Sequence, residues 1–243
     1  MPSFTDEIRV LESPIDVMYL MHKVFMAHSE RTEALAEKAQ GGGDITDLKD
    51  GLDVWLSQLL YHTKTEDIYM TGPLRDAQLQ DGRKPLRENE KEHDELRQIG
   101  ANLTHRLQRD GNTGLTSEVT SLVLAMEEKD HAELMTKVEE VEKALSGAIG
   151  EEQILARTRR HLYRSVMSFK VTEFDHFENE EAFVMPLVKD QMDHSQQLEC
   201  VRRLLFDDES DNPRWIIDFV TGELEGHERK LLEKLETEFS LGV

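Results

Sequence analysis

The chain has 243 residues, of which 33% are charged, 38% hydrophobic and 6% aromatic, and its 50 acidic against 29 basic side chains give a formal charge of -21. That length allows one large or two small domains with a sizeable core, and that charge repels phosphate backbones and anionic membrane surfaces, which argues against nucleic acid or membrane as a partner. The single cysteine, Cys200, excludes an intramolecular disulfide and any Cys-rich zinc module.

Ser13 and Pro14 read as an N-cap with proline at the first helical position, and the spacing predicts a first helix over 14–40, stopped by Gly41, Gly42 and Gly43. Asp44 or Thr46 caps a second helix over 46–70, ended by Gly72 and Pro73. After a polar, irregular stretch from Arg75 to Lys84, a third helix covers about 85–109 and closes at Asp110, Gly111 and Asn112. Thr116 or Ser117 opens a fourth helix reaching about Leu145, and residues 147–150 separate it from a fifth that reaches about Met185, where Pro186 should end or kink it. A short sixth helix runs through Leu198 to Phe206, and Asn212 with Pro213 restarts a seventh that reaches about Phe239. No convincing period-2 strand interrupts this series, so the expected class is an all-α bundle with antiparallel neighbours.

Low-complexity linkers are absent, which favours one domain. The amino terminus lacks a basic region followed by an apolar one, and no run approaches the ~18 apolar residues of a membrane span. The expectation is a soluble, cytoplasmic protein. A faint internal repeat relates the second to fourth helices to the fifth to seventh, with Glu127 and His131 matching Glu223 and His227.

The ten histidines carry most of the chemical information, and what lies three, four and seven residues from each decides its face. His62 shares its face with Trp55, Leu59, Glu66 and Tyr69, so an imidazole and a carboxylate one turn apart look inward from an apolar stripe. His176 repeats the pattern with Phe169, Thr172, Glu180 and Phe183. A single H-x-x-x-E is an ordinary solvated or ion-paired group on a helix. A carboxylate on a buried stripe, however, is costly unless paired or bound to a cation. Two such pairs ask for a common cause, and a metal supplies it, because residues at i and i+4 can deliver a nitrogen and an oxygen to one cation or to two adjacent cations.

Further inward histidines accompany these pairs. His22 shares its face with Ile15, Met18, Tyr19, Phe25 and Met26, whereas His28 lies about 120° around the same helix and reads equally as a core histidine with a hydrogen-bond partner. His93 has Leu86, Leu96 and Gly100 on its face, and His131 has Leu124, Leu134, Met135 and Val138. His105 and His161 lie among polar and basic neighbours, and these two with His194 and His227 are read as structural or surface groups.

The order of these residues resembles the hemerythrin-like, or HHE cation-binding, family. The closest stretches are HTKTEDIYMTGPL from His62, EKEHDEL around His93 and HFENEEAFVMPL from His176, within a resemblance over about 14–190. It implies an up-and-down four-helix bundle core with additional C-terminal helices: a tail over 1–13, a metal-binding bundle over 14–190 and a helical extension over 191–243. It also implies two non-haem, carboxylate-bridged iron ions that bind a small oxidant such as dioxygen, peroxide or nitric oxide. Carried over residue by residue, it offers His22, His62, Glu66, His176 and Glu180 as metal ligands, with Glu66 and Glu180 bridging. The third bundle helix supplies His93, His131 or both. The family's H-x-x-x-H on that helix is missing, since Arg97 and Met135 occupy the i+4 positions.

Mixed nitrogen and oxygen donors suit manganese or zinc as well as iron, leaving the choice to geometry and supply. A ring of Trp55, Tyr69, Phe169 and Phe183 would give the ligand a largely apolar cavity. One alternative is a ferritin-like carboxylate oxidase, motivated by E-x-x-H at Glu90 with His93, Glu128 with His131 and Glu173 with His176. The other is a metal-free helical interaction protein whose inward polar groups form a hydrogen-bond network. Neither a G-x-S-x-G nucleophile nor a phosphate-binding glycine loop is present.

Overall fold

The structure is a computed structural model that describes residues 8–80, 117–149 and 154–241. Among the described residues all regular structure is helical, as the absence of period-2 alternation requires. The helix expected over 85–109, with His93 and His105, lies outside the described residues, as do residues 1–7.

A short 3₁₀ turn, Pro14–Asp16, leads into α1, Val17–Gln40. The cap here is supplied by Asp16, whose Oδ2 accepts the backbone N–H groups of Glu12 at 2.8 Å and Ser13 at 2.9 Å. The glycine triplet ends α1, with Gly42 at φ 106°, where an L side chain would be strained. Gly51 lies where α2 crosses α1; a Cβ there would meet Thr32 Oγ1 at 3.1 Å.

Proline does not end the second helix as the sequence suggests, and the fifth, where an end or a kink is expected, continues through a local widening. α2, Thr46–Glu66, passes through a π turn, Asp67–Thr71, into α3, Gly72–Gln80. After α4, Ser117–Ile149, α5 spans Ala156–Asn179 and passes through a π turn, Glu180–Val184, into α6, Met185–Gln191. A proline inside a helix has no N–H to donate and its ring collides with the carbonyl four residues back. One extra residue in the turn relieves that collision. Gly72 N–H accordingly bonds the Asp67 carbonyl and Met185 N–H bonds the Glu180 carbonyl, each five residues back, and the helix continues beyond Pro73 and Pro186.

The expected sixth helix is α7, His194–Leu205, opened by reciprocal 2.9 Å bonds between Asp193 and Gln196. The expected seventh is two helices, α8, Trp215–Glu223, and α9, Gly226–Leu241, broken where Gly226 takes φ 54°.

α1 lies between α2 and α5, α4 runs along α5, and α2 also touches α4, so these four helices face one interior. Trp55, Phe25, Phe169, Phe177, Met18 and Leu59 are fully buried there, each worth about 1.5–3 kcal/mol of removal from water. α7 packs across α2, its π turn and the Pro14–Asp16 turn. The Tyr61 hydroxyl ties it down, 2.6 Å from the Arg203 carbonyl and 2.8 Å from that of Phe206.

α9 clasps the amino-terminal segment. Glu228 accepts the Ile8 N–H at 2.8 Å and the Lys23 ammonium at 2.8 and 2.9 Å, and His227 Nε2–H donates to the Arg9 carbonyl at 2.6 Å. Replacing Glu228 with alanine should cost about 1–3 kcal/mol by leaving a buried N–H unpaired. Thermal unfolding of the variant checks this, and an unchanged melting temperature would show that the clasp contributes nothing.

Candidate metal centre

The histidines and glutamates that reach the shared interior come from four helices. α1 contributes His22, the last turn of α2 contributes His62 and Glu66, α4 contributes Glu127 and His131 one turn apart, and the end of α5 with the first residue of its π turn contributes His176 and Glu180. All seven are at most 5% exposed. Their ligand atoms form two interlocking groups, His22, His62, Glu66 and Glu180 in one and Glu66, Glu127, His131 and His176 in the other, each within 4.8 Å of one another.

Glu66 belongs to both groups. Its Oε1 lies 2.7 Å from His62 Nε2 and its Oε2 lies 3.3 Å from His131 Nε2 and 3.9 Å from His176 Nε2. Glu180 Oε2 lies 3.1 Å from His22 Nε2 and 3.9 Å from both His62 Nε2 and His176 Nε2. Glu127 Oε1 is 2.9 Å from His131 Nε2. The walls are aromatic: Phe177 stacks on His22 at 4.2 Å between ring centroids, and Phe25 meets His62 edge-on at 5.3 Å.

Close approach does not make these groups a hydrogen-bonded network. The Nε2 atoms of His22, His62, His131 and His176, both oxygens of Glu66 and Glu180, and Glu127 Oε1 are buried and have no hydrogen-bond partner. Leaving so many polar atoms unsatisfied in a dry interior is costly. Cations at the two foci would take them all as ligands, so the residues present fit a pair of metal ions. Four imidazoles with three carboxylates suit first-row transition metals better than the all-oxygen shells of calcium or magnesium.

Protonation in the metal-free centre follows from the same crowding. Burial pulls the His22 imidazolium down, but Glu180 and Glu181 overcome it and carry the pKa up to about 10. Burial likewise opposes the charge on His131, which Asp67, Glu127 and Glu66 nevertheless push well above the ordinary imidazole range. Burial holds His62 down to about 3 and, with the neighbouring imidazolium groups, holds His176 well below its usual value. Burial raises Glu127 to about 8, and burial with the charge of Glu66 raises Glu180 to about 7.

Six of the seven residues expected as ligands therefore stand together: His22, His62, Glu66, His131, His176 and Glu180. His93 lies outside the described residues. His28 points elsewhere, its Nε2 3.0 Å from the Gly51 carbonyl. Glu127 is an addition whose signal is the E-x-x-x-H spacing ahead of His131, which in the sequence stands out only as part of the faint repeat. That repeat does not extend the site, since Glu223 pairs with Arg31 and His227 with the Arg9 carbonyl.

Two aromatic positions are corrected. Tyr69 is 38% exposed under the Arg203 guanidinium, and Phe183 is only partly buried; Met70 and Val184 turn inward instead. The π turns after Glu66 and at Glu180 insert one residue, so the next inward position falls one later than a 3.6-residue period predicts. The two E-x-x-H spacings among the described residues also fail to converge. Glu128 is exposed, Glu90 lies outside the described residues, and Glu173 accepts the Trp55 indole N–H at 2.6 Å, with burial raising its pKa to about 8.

Residues 13–128 match the family model for the hemerythrin HHE cation binding domain. The resemblance is thereby shown for that stretch, which takes in α1, α2 and Glu127 and stops before His131, His176 and Glu180. No curated protein and no solved structure matches the chain.

A cation entering the centre must displace the protons held on Glu180, Glu127 and His22, whose pKa values rise to about 7, 8 and 10, and on His131, whose pKa is raised well above the ordinary imidazole range. Metal affinity should thus fall as pH falls, by about tenfold per pH unit for each proton displaced, between pH 8 and 6. Competition against a chromophoric chelator reads this directly. A flat profile would mean that these groups do not share the cation's position.

Proposed function

With the match of residues 13–128 to a hemerythrin cation-binding domain as the premise, we propose that this chain is a non-haem, carboxylate-bridged di-iron protein that binds a small oxidant: dioxygen, peroxide or nitric oxide. The observation that carries this reading is the pair of buried His/Glu groups sharing Glu66, with ligand atoms that have no other partner. In this reading residues 14–190 form an up-and-down four-helix bundle core, 1–13 a tail and 191–243 a helical extension packed on it.

In this reading Glu66 and Glu180 would be the bridging carboxylates, His22 and His62 would hold one cation, and His131, His176 and Glu127 would hold the other; His93 is a further candidate ligand. Iron supplies one-electron redox steps and coordination positions for the oxidant. Three carboxylates against two dications leave residual positive charge, which favours a ligand that gains negative charge on binding. Phe25, Phe177 and Met18 exclude bulk water from the interior, which strengthens that electrostatic preference.

The ferritin-like oxidase reading draws support from Glu127, which makes the set richer in carboxylate than histidine ligation alone. It draws none from Glu173 or Glu128, which serve elsewhere or face solvent. A metal-free scaffold would leave the inward nitrogen and oxygen atoms unpaired.

Elemental analysis of the purified chain, with its optical spectrum before and after reduction, tests the proposal. The expected result is two irons per chain and near-ultraviolet bands that bleach on reduction and return in air. His62→Ala and His176→Ala should each lose metal while keeping their helical content, and lose the metal's stabilisation of about 4 kcal/mol at a free concentration a thousandfold above Kd. No iron after anaerobic ferrous loading, with unchanged melting, would contradict it.

A further inference from the structure

The two bridging candidates are each followed by a second acid, Glu66 by Asp67 and Glu180 by Glu181. In an ordinary α-helix consecutive side chains diverge by about 100°, so only one of each pair would face a given interior. Here both members reach inward contacts, because each pair sits where its helix widens into a π turn. Glu181 Oε1 lies 2.9 Å from His22 Nδ1, and Asp67 Oδ1 lies 3.2 Å from His131 Nδ1. Each acid thus crosses to the histidine of a facing helix, α5 to α1 and α2 to α4. The two arrangements are counterparts: a buried glutamate of the centre, its neighbouring acid, a π turn, then a proline.

The other two histidines differ. His62 Nδ1 and His176 Nδ1 are buried without a partner, and these rings already stand one turn before Glu66 and Glu180 on their own helices. His22 and His131 come from helices that carry no bridging glutamate, so their orientation depends on something reaching across. A carboxylate on Nδ1–H selects the tautomer that leaves the Nε2 lone pair free and fixes the plane of the ring.

The two pairs also differ in access. The Glu181 side chain is 6% exposed, whereas that of Asp67 is 43% exposed, with the Arg75 guanidinium 3.7 Å from its Oδ1.

We propose that Asp67 and Glu181 are positioning residues for the metal centre, each holding a facing-helix histidine by Nδ1 with Nε2 directed inward, and that the Asp67–His131 contact is the solvent-exchangeable one while Glu181–His22 is sealed. This rests on the di-metal reading, and its test separates the two. Anaerobic ferrous titration is run on the full chain and on Asp67→Ala, Asp67→Asn, Glu181→Ala and Glu181→Gln, with helical content checked for each. Nitrogen-15 spectra of the histidine side chains are recorded on the same proteins.

Asp67→Ala should weaken one of two ferrous equivalents by about 10–100-fold and remove the His131 Nδ1–H signal, and Glu181→Ala should do the same for the other equivalent and His22. The Asn and Gln variants should retain both, because an amide oxygen still accepts from Nδ1–H. In the parent chain the His131 Nδ1–H should exchange with solvent faster than that of His22. Alanine variants that keep both equivalents and both signals would overturn the proposal, as would amide variants as impaired as the alanines, which would make the effect one of charge. A parent chain that binds no ferrous ion would sink the di-metal reading alone, since the Nδ1–H signals of the metal-free protein still report the two pairings.

Discussion

Glu66, Glu127 and Glu180 lie in an interior closed to water, where an ionised carboxylate costs several kcal/mol unless positive charge stands beside it. In the metal-free chain the positive charge comes from protons. His22 and His131 hold theirs far above the ordinary imidazole range, and Glu127 and Glu180 are pushed toward neutrality by burial. Protons fill the requirement poorly, because the nitrogen and oxygen atoms point at common foci and not along hydrogen bonds to one another. The arrangement makes energetic sense with cations at those foci.

The rest of the fold can be understood as what makes that concentration of polar groups tolerable. Trp55, Phe169, Phe25 and Phe177 fill the interior around the centre and join α1, α2 and α5. The two π turns are placed where Glu66 and Glu180 leave their helices, and they do two things at once. They carry the backbone past Pro73 and Pro186, and they bring Asp67 and Glu181 into reach of histidines on facing helices. α7 closes the flank over α2, with Tyr61 and the Asp193 cap fixing its two ends.

Much of the site was legible in the sequence because the helical period is short-ranged and strict. His62 with Glu66 and His176 with Glu180 stand one turn apart on stripes otherwise apolar, and His22 was separable from His28 by its face alone. What failed was whatever depends on a break in that period. A count of 3.6 residues per turn puts Tyr69 and Phe183 on the inward stripe, and one inserted residue brings Met70 and Val184 there instead. Pro73 reads as a stop and Pro186 as a stop or a kink for the same reason, since sequence does not distinguish a helix that ends from one that widens. The spacing of Glu127 to His131 does not by itself place Glu127 in the site, because the depth at which α4 packs against α2 and α5 is a tertiary fact.

Iron-edge anomalous diffraction from crystals of the iron-loaded chain tests the account most directly. Two anomalous peaks are predicted, one among His22, His62, Glu66 and Glu180 and the other among Glu66, Glu127, His131 and His176, with Glu66 contacting both. A loaded chain with iron elsewhere, or with no density between these side chains, would contradict it.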